Sequence, residues 1–377
     1  MKVLMVTWEY PPNKVGGVAS HCGDLAAALT ERGHDITVVT YGEKAQIEEK
    51  DGVEVHRVTA GDADDVVEWA QLLNHRMRKE IVRMDRTFDV VHAHDWTSVP
   101  AAVTAKHLSD VPMVFTLHST EEGRSGVHSD MSKMINDLEW YGTYEADQVI
   151  TVGSDLKEQV HHDFGVPWEK LHHIPNGVDH DRFADADDIS NRYTEDWEHL
   201  VLFVGRLCHQ KGVSDLIDAV PRLLQDREDA KFVIAGKGNQ EAYEGQAHEA
   251  GVAHKVQFTG YVPEDHLIDL YGSADLTVMP SRYEPFGIVA LESMAAGTPV
   301  VGSHVGGIKD TVTHEWNGLH TYPGNPDSIK WGVDLALQDA AWREWMGRNA
   351  RETVTEQYRW DRLAAQTEQV YEDVTGT

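Results

Sequence analysis

The stretch Tyr283–Glu292 reads YEPFGIVALE and carries two carboxylates, Glu284 and Glu292, separated by a Pro-Phe-Gly turn and the opening of an apolar helix. Pro285 biases Glu284 toward extended backbone, and Gly287 relaxes steric limits where the helix begins. With Phe286 between them, the turn offers backbone N–H groups to an electron-rich ligand. A solvated loop Glu beside a solvated helical Glu is the plainer reading of the same ten residues. Arg206 and Lys211 flank the loop GRLCHQKG after an apolar run. Two cations there would hold phosphate oxygens and stabilise the charge that develops on a departing diphosphate, whereas surface ion pairing is the bland alternative.

A second set lies in the first half of the chain. Gly16 and Gly17 follow a strand and precede a helix, a position that suits an anion, and Lys14 adds a cation. The pair is also what a simple tight turn needs, and the full GxGxxG pattern is missing. His118 ends the apolar run MVFTL, where a histidine more commonly makes structural hydrogen bonds than does catalysis. His92 and His94 in VHAHDW alternate along a strand end with Asp95 nearby, a spacing compatible with a metal. No companion motif supports an ion, so no metal is expected, and His94, Asp95 and Trp96 are expected to line a pocket or pack beneath it. The triplets Asp62–Asp64 and Asp185–Asp187 sit in Asp-rich loops and read as surface acid. Arg76, Arg78, Lys79, Arg83 and Arg86 face away from Leu73, Met77, Ile81 and Met84. That helix could dock an anionic acceptor or a membrane surface, but a solvated face explains it as well.

Elements must carry these groups to one place. Val- and Ile-rich runs alternate with longer amphipathic stretches almost throughout, which argues for repeated βα units, parallel sheets and an α/β class. Strands are expected near 2–7, 35–40, 53–58, 89–93, 112–117, 148–151 and 171–174. A second series is expected near 200–204, 231–235, 256–258, 276–279 and 299–301, after the polar, Asp-rich stretch 179–198. The helix 17–32 fits Leu25, Ala28 and Leu29 on one face with Gly33 as its stop. Each series opens with a strand, a loop carrying Gly and Lys, and a helix, as in KVLMVTWEYPPNKVGGVAS and HLVLFVGRLCHQKGVSDLI. Ligands of open α/β sheets bind beyond the carboxyl ends of strands, so a domain at 1–180 and one at 199–355 would face each other across a cleft. The segment 356–377 contains a further amphipathic helix, placed to cross back to the first domain.

Composition narrows the classes. A chain of 377 residues suggests two domains. Its 63 Asp plus Glu against 33 Lys plus Arg give a formal charge of −30, which disfavours nucleic acid as a partner. Hydrophobic residues make up 41%, so the acidity belongs to a folded surface of the kind found in salt-adapted cytoplasmic proteins, an ordinary acidic mesophile protein being the bland alternative. The start MKVLMVTWEY does not read as a signal peptide, and no apolar run approaches the ~18–20 residues of a membrane span. Only Cys22 and Cys208 are present, which fits a reducing cytoplasm better than a disulfide framework.

Taken together, WEYPPNKVGGVAS, GHDITVVT, VVHAHDW, TLHSTEEG, NGVD, FVGRLCHQKG, YEPFGIVALESMAAGTPVV and GGIKDTV resemble the retaining nucleotide-sugar glycosyltransferases of family 4 over nearly the whole chain. The resemblance implies a GT-B fold of two Rossmann-like domains, the donor held mainly by the second and the acceptor mainly by the first. It implies a UDP-, ADP- or GDP-sugar as donor substrate, no bound cofactor, no metal, and a carbohydrate or other hydroxyl acceptor. Residue by residue, it assigns Arg206 and Lys211 to the diphosphate, with Gly16 and Gly17 approaching the same group. It assigns Glu284, with the backbone of Phe286 and Gly287, to the donor sugar, Glu292 to the ribose, and His118 to the reacting sugar. Lys14, His94, Asp95 and Trp96 fall on the acceptor side. WEYPP and KVGG are similar to glycogen and starch synthases, with Val18 and Ala19 where that subgroup carries Leu-Gly. A lipid-linked, glycoprotein or small-molecule acceptor fits the remaining motifs, and a nucleotide-sugar 2-epimerase or a non-catalytic sugar-binding protein would share the fold.

Overall fold

The computed structural model describes residues 1–183, 186–195 and 198–376. It divides into two compact units, the first formed by Met1–Gly177 with Trp360–Thr377 and the second by Val178–Arg359.

The first unit is built on eight strands: β1 (Lys2–Val6), β2 (Asp35–Tyr41), β3 (Gln46–Lys50), β4 (Val53–Val58), β5 (Val90–His94), β6 (Met113–Leu117), β7 (Gln148–Thr151) and β8 (Leu171–His173). Their order across the sheet is β3-β4-β2-β1-β5-β6-β7-β8. Every pairing is parallel except β3 with β4. The order reverses between β1 and β5, the topological position where open α/β sheets leave a crevice at their carboxyl ends. Burial of both faces explains why β1 and β6 read as nearly continuous apolar runs, while β5 buries two histidines in the same way.

The helix Gly17–Glu31 turns His21, Cys22, Leu25 and Leu29 inward, and Gly33 follows it at φ 91°. The helix Trp360–Thr375 contributes Leu363, Ala364, Val370 and Tyr371 to the same core cluster as Leu25 and Leu29. Sequence alternation did not reveal β3. Its residues QIEEK are exposed at an edge, so no apolar face marks them. A signal was nevertheless present: Asp51 and Gly52 both adopt positive φ, 55° and 75°, as the two-residue hairpin turn between β3 and β4 requires.

The second unit contains β9 (His199–Val204), β10 (Ala230–Ala235), β11 (Val256–Gly260), β12 (Leu276–Met279), β13 (Val300–Ser303) and β14 (Gly318–Thr321). All its pairings are parallel, in the order β11-β10-β9-β12-β13-β14, with the switch between β9 and β12. The short GLHT of β14 has too little apolar length to announce itself, and it escaped the sequence reading. Val201, Phe203, Phe232, Ile234, Leu276 and Val278 form the sheet side of the core, packed by Leu216, Ile217, Val220 and Val333 from covering helices. The α/β class with two parallel-sheet units is thus the architecture of the chain.

Of the acidic triplets, Asp62 and Asp64 are exposed, as is Asp187, while Asp185 lies outside the described residues. In the basic helix, Arg76, Lys79 and Arg83 are exposed over a buried face of Leu73, Met77 and Ile81. Arg86 is bonded to Asp35 at 2.6 Å and to Glu54 at 3.2 Å, so its charge serves the sheet edge.

Candidate active site

In the second unit the carboxyl ends of β9 and β12 deliver two loops to the switch point. Lys211, at the end of the loop after β9, places Nζ 2.5 Å from Oε2 of Glu284, in the loop after β12. The same oxygen accepts from Ser281 Oγ at 3.0 Å. Both side chains are largely withdrawn from water, with Lys211 19% and Glu284 8% exposed. Removing one partner of such a pair strands a charge, so the pair is not the surface bridge that loop residues usually make.

Glycines let these loops touch. A Cβ on Gly212, at φ 69°, would stand 2.0 Å from the carbonyl oxygen of Pro280, so only glycine allows the loop after β9 to close on the loop after β12. The backbone N–H of Arg282 then donates to Gln210 O at 2.8 Å, and the Arg282 guanidinium grips Asp215 through two bonds of 2.9 and 2.7 Å. On the other side, Gly307 N donates to Glu284 O at 3.0 Å. Gly287 caps the helix Ile288–Ala295 at φ 93°, and that helix turns Glu292 toward Tyr271, whose hydroxyl donates to Glu292 Oε2 at 2.7 Å. Burial and the Glu292 charge together push the Tyr271 hydroxyl well above its ordinary pKa, so it stays a donor. Arg206 is exposed and donates to Gln210 Oε1 at 3.3 Å, which leaves its guanidinium near the loop surface.

In the first unit the loops after β1, β5 and β6 supply a second group. Asp95 directly follows β5 in a strained conformation, φ 57° and ψ 166°, which costs a non-glycine residue about 1–3 kcal/mol. Its Oδ1 accepts from the backbone N–H of His118 at 3.0 Å. Burial pushes the Asp95 carboxyl up to about 6, against the opposing pull of Arg124 and the His118 amide. Arg124 in turn donates to Ser119 Oγ at 2.6 Å, to Glu121 at 2.9 Å and to the fully buried Glu139 at 3.2 Å. Burial lifts the Glu139 carboxyl to about 8 despite Arg124. A cavity of about 260 Å³ opens beside Asp95 and Arg124, walled by Trp8, Trp69 and Trp96.

His118 belongs to a histidine group. Its Nε2 lies 3.3 Å from Nδ1 of His94, whose ring packs 4.1 Å from that of His92. His92 is held by Tyr371 OH and Thr116 Oγ1, both at 2.7 Å. His21, inward on the helix Gly17–Glu31, is bonded through Nδ1 to Asn176 Oδ1 at 2.7 Å and lies 4.6 Å from the His118 ring. Burial lowers the His118 imidazole to about 3 and holds those of His21, His92 and His94 well below 6.5, so all four are neutral. One ring nitrogen from each of His21, His94 and His118 falls within 4.8 Å of the others. Tetrahedral zinc at its usual bond lengths needs ligand nitrogens about 3.3 Å apart. The 3.3 Å His94–His118 contact meets both that spacing and hydrogen-bond length.

The structure therefore gathers Lys211, Glu284, Phe286, Gly287 and Glu292 around one end of the second sheet. In the first unit it gathers His94, Asp95, Trp96 and His118 around another, with Gly16 and Gly17 at the N-terminus of the helix after β1. Lys14 is exposed in that loop. Sequence reasoning missed Ser281, Tyr271, Asp215, Arg282, His21, Asn176, Arg124 and Glu139. Most reach the site from distant segments, and no local spacing points to them. Ser281 and Arg282 adjoin YEPFG and Arg124 directly follows TLHSTEEG, so proximity to a motif was the available signal.

Residues 15–182 match the family model described as Glycosyltransferase Family 4, and residues 185–353 match that of Glycosyl transferases group 1. A glycosyltransferase of Methanocaldococcus jannaschii described as uncharacterized is 46% identical, over 98% of either chain. A glycogen synthase of Mycobacterium tuberculosis is 35% identical over 98% of this chain and 94% of its own. Among solved structures, sucrose-phosphate synthase from Thermosynechococcus elongatus superposes with a TM-score of 0.84 at 23% identity, over 100% of this chain and 99% of that one. The catalytic domain of starch synthase IV from Arabidopsis thaliana, bound to ADP and acarbose, gives 0.80 at 18%, over the same shares. At such identity these two establish the fold, which is GT-B. The relatives and the family models together show that the chain belongs to the family 4, group 1 glycosyltransferases.

Proposed function

We propose that this protein is a retaining hexosyltransferase that takes its sugar from a nucleoside diphosphate donor and passes it to a carbohydrate hydroxyl, an α-glucan being the first acceptor to test. The observation that carries the reading is the largely buried Lys211–Glu284 pair at the β9/β12 switch point. An ammonium has three N–H donors and Glu284 takes one, so Lys211 can address phosphate oxygens while remaining anchored. Arg206, exposed on the same loop, adds a second cation. Breaking the sugar–phosphate bond leaves negative charge on the diphosphate, and the two side chains supply the compensating charge a metal supplies elsewhere.

Glu284 acts as a fixed acceptor for the hydroxyls of the donor sugar. Its Oε2 already receives bonds from Lys211 and Ser281, which blunts it as a nucleophile and favours front-face attack over a covalent double displacement. Glu292, bonded to the Tyr271 hydroxyl, serves the ribose. His118 is neutral and held by His94, and it addresses the reacting sugar as a hydrogen-bonding group. Asp95, Trp96 and the aromatic cavity beside them take the acceptor. The glycogen synthase relative and the ADP- and acarbose-bound starch synthase favour glucose as the sugar.

The test is release of nucleoside diphosphate from UDP-glucose, ADP-glucose and GDP-mannose in molar KCl, with and without chelator, followed by mass analysis of glycogen and maltooligosaccharide products. Chelator-resistant release, with glucan extension at retained configuration, is expected. Folded protein that is silent with every donor overturns the reading.

A further inference from the structure

Glu9 is a buried carboxylate that the roles above leave unused. It follows β1 in WEYPP and is 2% exposed. Its Oε2 accepts from the backbone N–H of Val15 at 2.7 Å and of Gly16 at 2.9 Å, and the amide of Ala19 also bonds to the carboxylate. Its own carbonyl oxygen accepts from Thr7 Oγ1 at 3.1 Å, which ties the residue to the end of β1. A carboxylate taken out of water is costly, and backbone amides are the compensation these bonds provide. Burial pushes the Glu9 carboxyl upward, with the nearby Asp95 adding to it, so the protein holds this anion at a cost.

Those amides define what the glycine loop can do. The amides of Val15, Gly16 and Ala19 converge on Glu9 at the start of the helix Gly17–Glu31, an arrangement that elsewhere binds free anions. Here an internal anion occupies it. The N–H groups of Val15 and Gly16 point inward, so they are committed before any ligand arrives. Gly16 itself is exposed, and a Cβ on it would point back toward Glu9, 3.5 Å from Oε1, so no side chain stands between its outer backbone face and a ligand.

We infer that Glu9 is a positioning residue that clamps the loop 15–19 in place from beneath, so that Gly16 and Gly17 give a donor diphosphate close backbone approach while Glu9 retains the Val15 and Gly16 amides. The inference rests on the proposed donor chemistry for its ligand, but the clamp itself is a property of the chain. Oε2 alone takes the Val15 and Gly16 bonds, so for these two amides the property to test against charge is reach.

Two substitutions separate these. Glu9→Gln keeps a carbonyl oxygen at the same distance from the backbone and removes the charge. Glu9→Asp keeps the charge and withdraws the oxygens by one methylene. For the clamp, E9D raises the donor KM about tenfold with the acceptor KM unchanged, and E9Q recovers it to within about threefold of the starting protein. Hydrogen exchange across residues 10–20 reads the clamp without catalysis: faster in E9D, native-like in E9Q. The opposite ranking, with E9Q impaired and E9D intact, overturns the inference, as does a donor KM unmoved in both. If the native protein transfers no sugar from any donor while E9D still loosens residues 10–20, the donor reading fails and the clamp stands. If exchange is unchanged in E9D, the clamp fails whatever the kinetics.

Discussion

Lys211 and Glu284 illustrate how one short contact can carry both structure and chemistry. Lys211→Ala is expected to lower turnover by more than tenfold while the protein still melts cooperatively, since the charge facing the leaving group disappears but the loops remain closed by Gly212 and Arg282. Steady-state kinetics beside a thermal melt decide it, and unchanged turnover removes Lys211 from the mechanism. Asp95 and His118 make a prediction about pH. With its carboxyl lifted to about 6, Asp95 is ionised above that pH and protonated below it, whereas His118, lowered to about 3, stays neutral throughout. Activity should therefore fall on acidification through about pH 6, and that limb should vanish in Asp95→Asn. A kcat/KM profile flat from pH 5 to 8 in the native protein contradicts the assignment.

Elements decide which of these residues meet, and here the sequence was unevenly legible. Strands buried on both faces, such as β1, β6, β9 and β12, declared themselves as apolar runs, and the loops after them carried motifs. The edge strand β3 did not, because exposure on both faces removes the alternation on which strand reading depends. The partners of the motif residues were hidden for a different reason. Asn176 reaches His21 across 155 positions, and Tyr371 reaches His92 across 279, distances over which no periodicity operates. Glycine chemistry was partly visible: GGIKDTV stands out as a motif, but its role emerges only with the fold. A Cβ on Gly306, at φ 46°, would lie 1.9 Å from the carbonyl oxygen of Glu284. Gly306→Ala should therefore displace the YEPFG loop, destabilise the protein by about 1–3 kcal/mol and weaken nucleotide binding. Calorimetric titration with UDP and ADP beside a denaturant melt checks this; native affinity in the folded variant would mean the loop tolerates the shift.

The whole molecule is governed by its charge. A formal −30 over 377 residues produces self-repulsion that screening relieves, and the Debye length falls from about 8 Å at physiological ionic strength to about 3 Å at 1 M. We propose that the protein is adapted to a salt-rich interior. Its melting temperature is expected to rise steadily between 0.2 and 2 M KCl, and a plateau reached by 0.3 M would assign the acidity to ordinary solubility. No helix among the described residues is long and apolar enough to cross a membrane.

One topological feature bears on how the chain is made. The second unit, Val178–Arg359, interrupts the first, whose core includes Leu363, Ala364, Val370 and Tyr371 from the helix Trp360–Thr375. On the ribosome the whole second unit emerges before that helix does, a delay on the order of ten seconds or more at ~5–20 residues per second. During that interval Leu25 and Leu29 lack their cover and His92 lacks the Tyr371 hydroxyl. All of the second unit's residues are synthesised before that helix, while the first unit lacks part of its core until the chain ends, so the demand for chaperone protection falls on the half of the chain that was synthesised first.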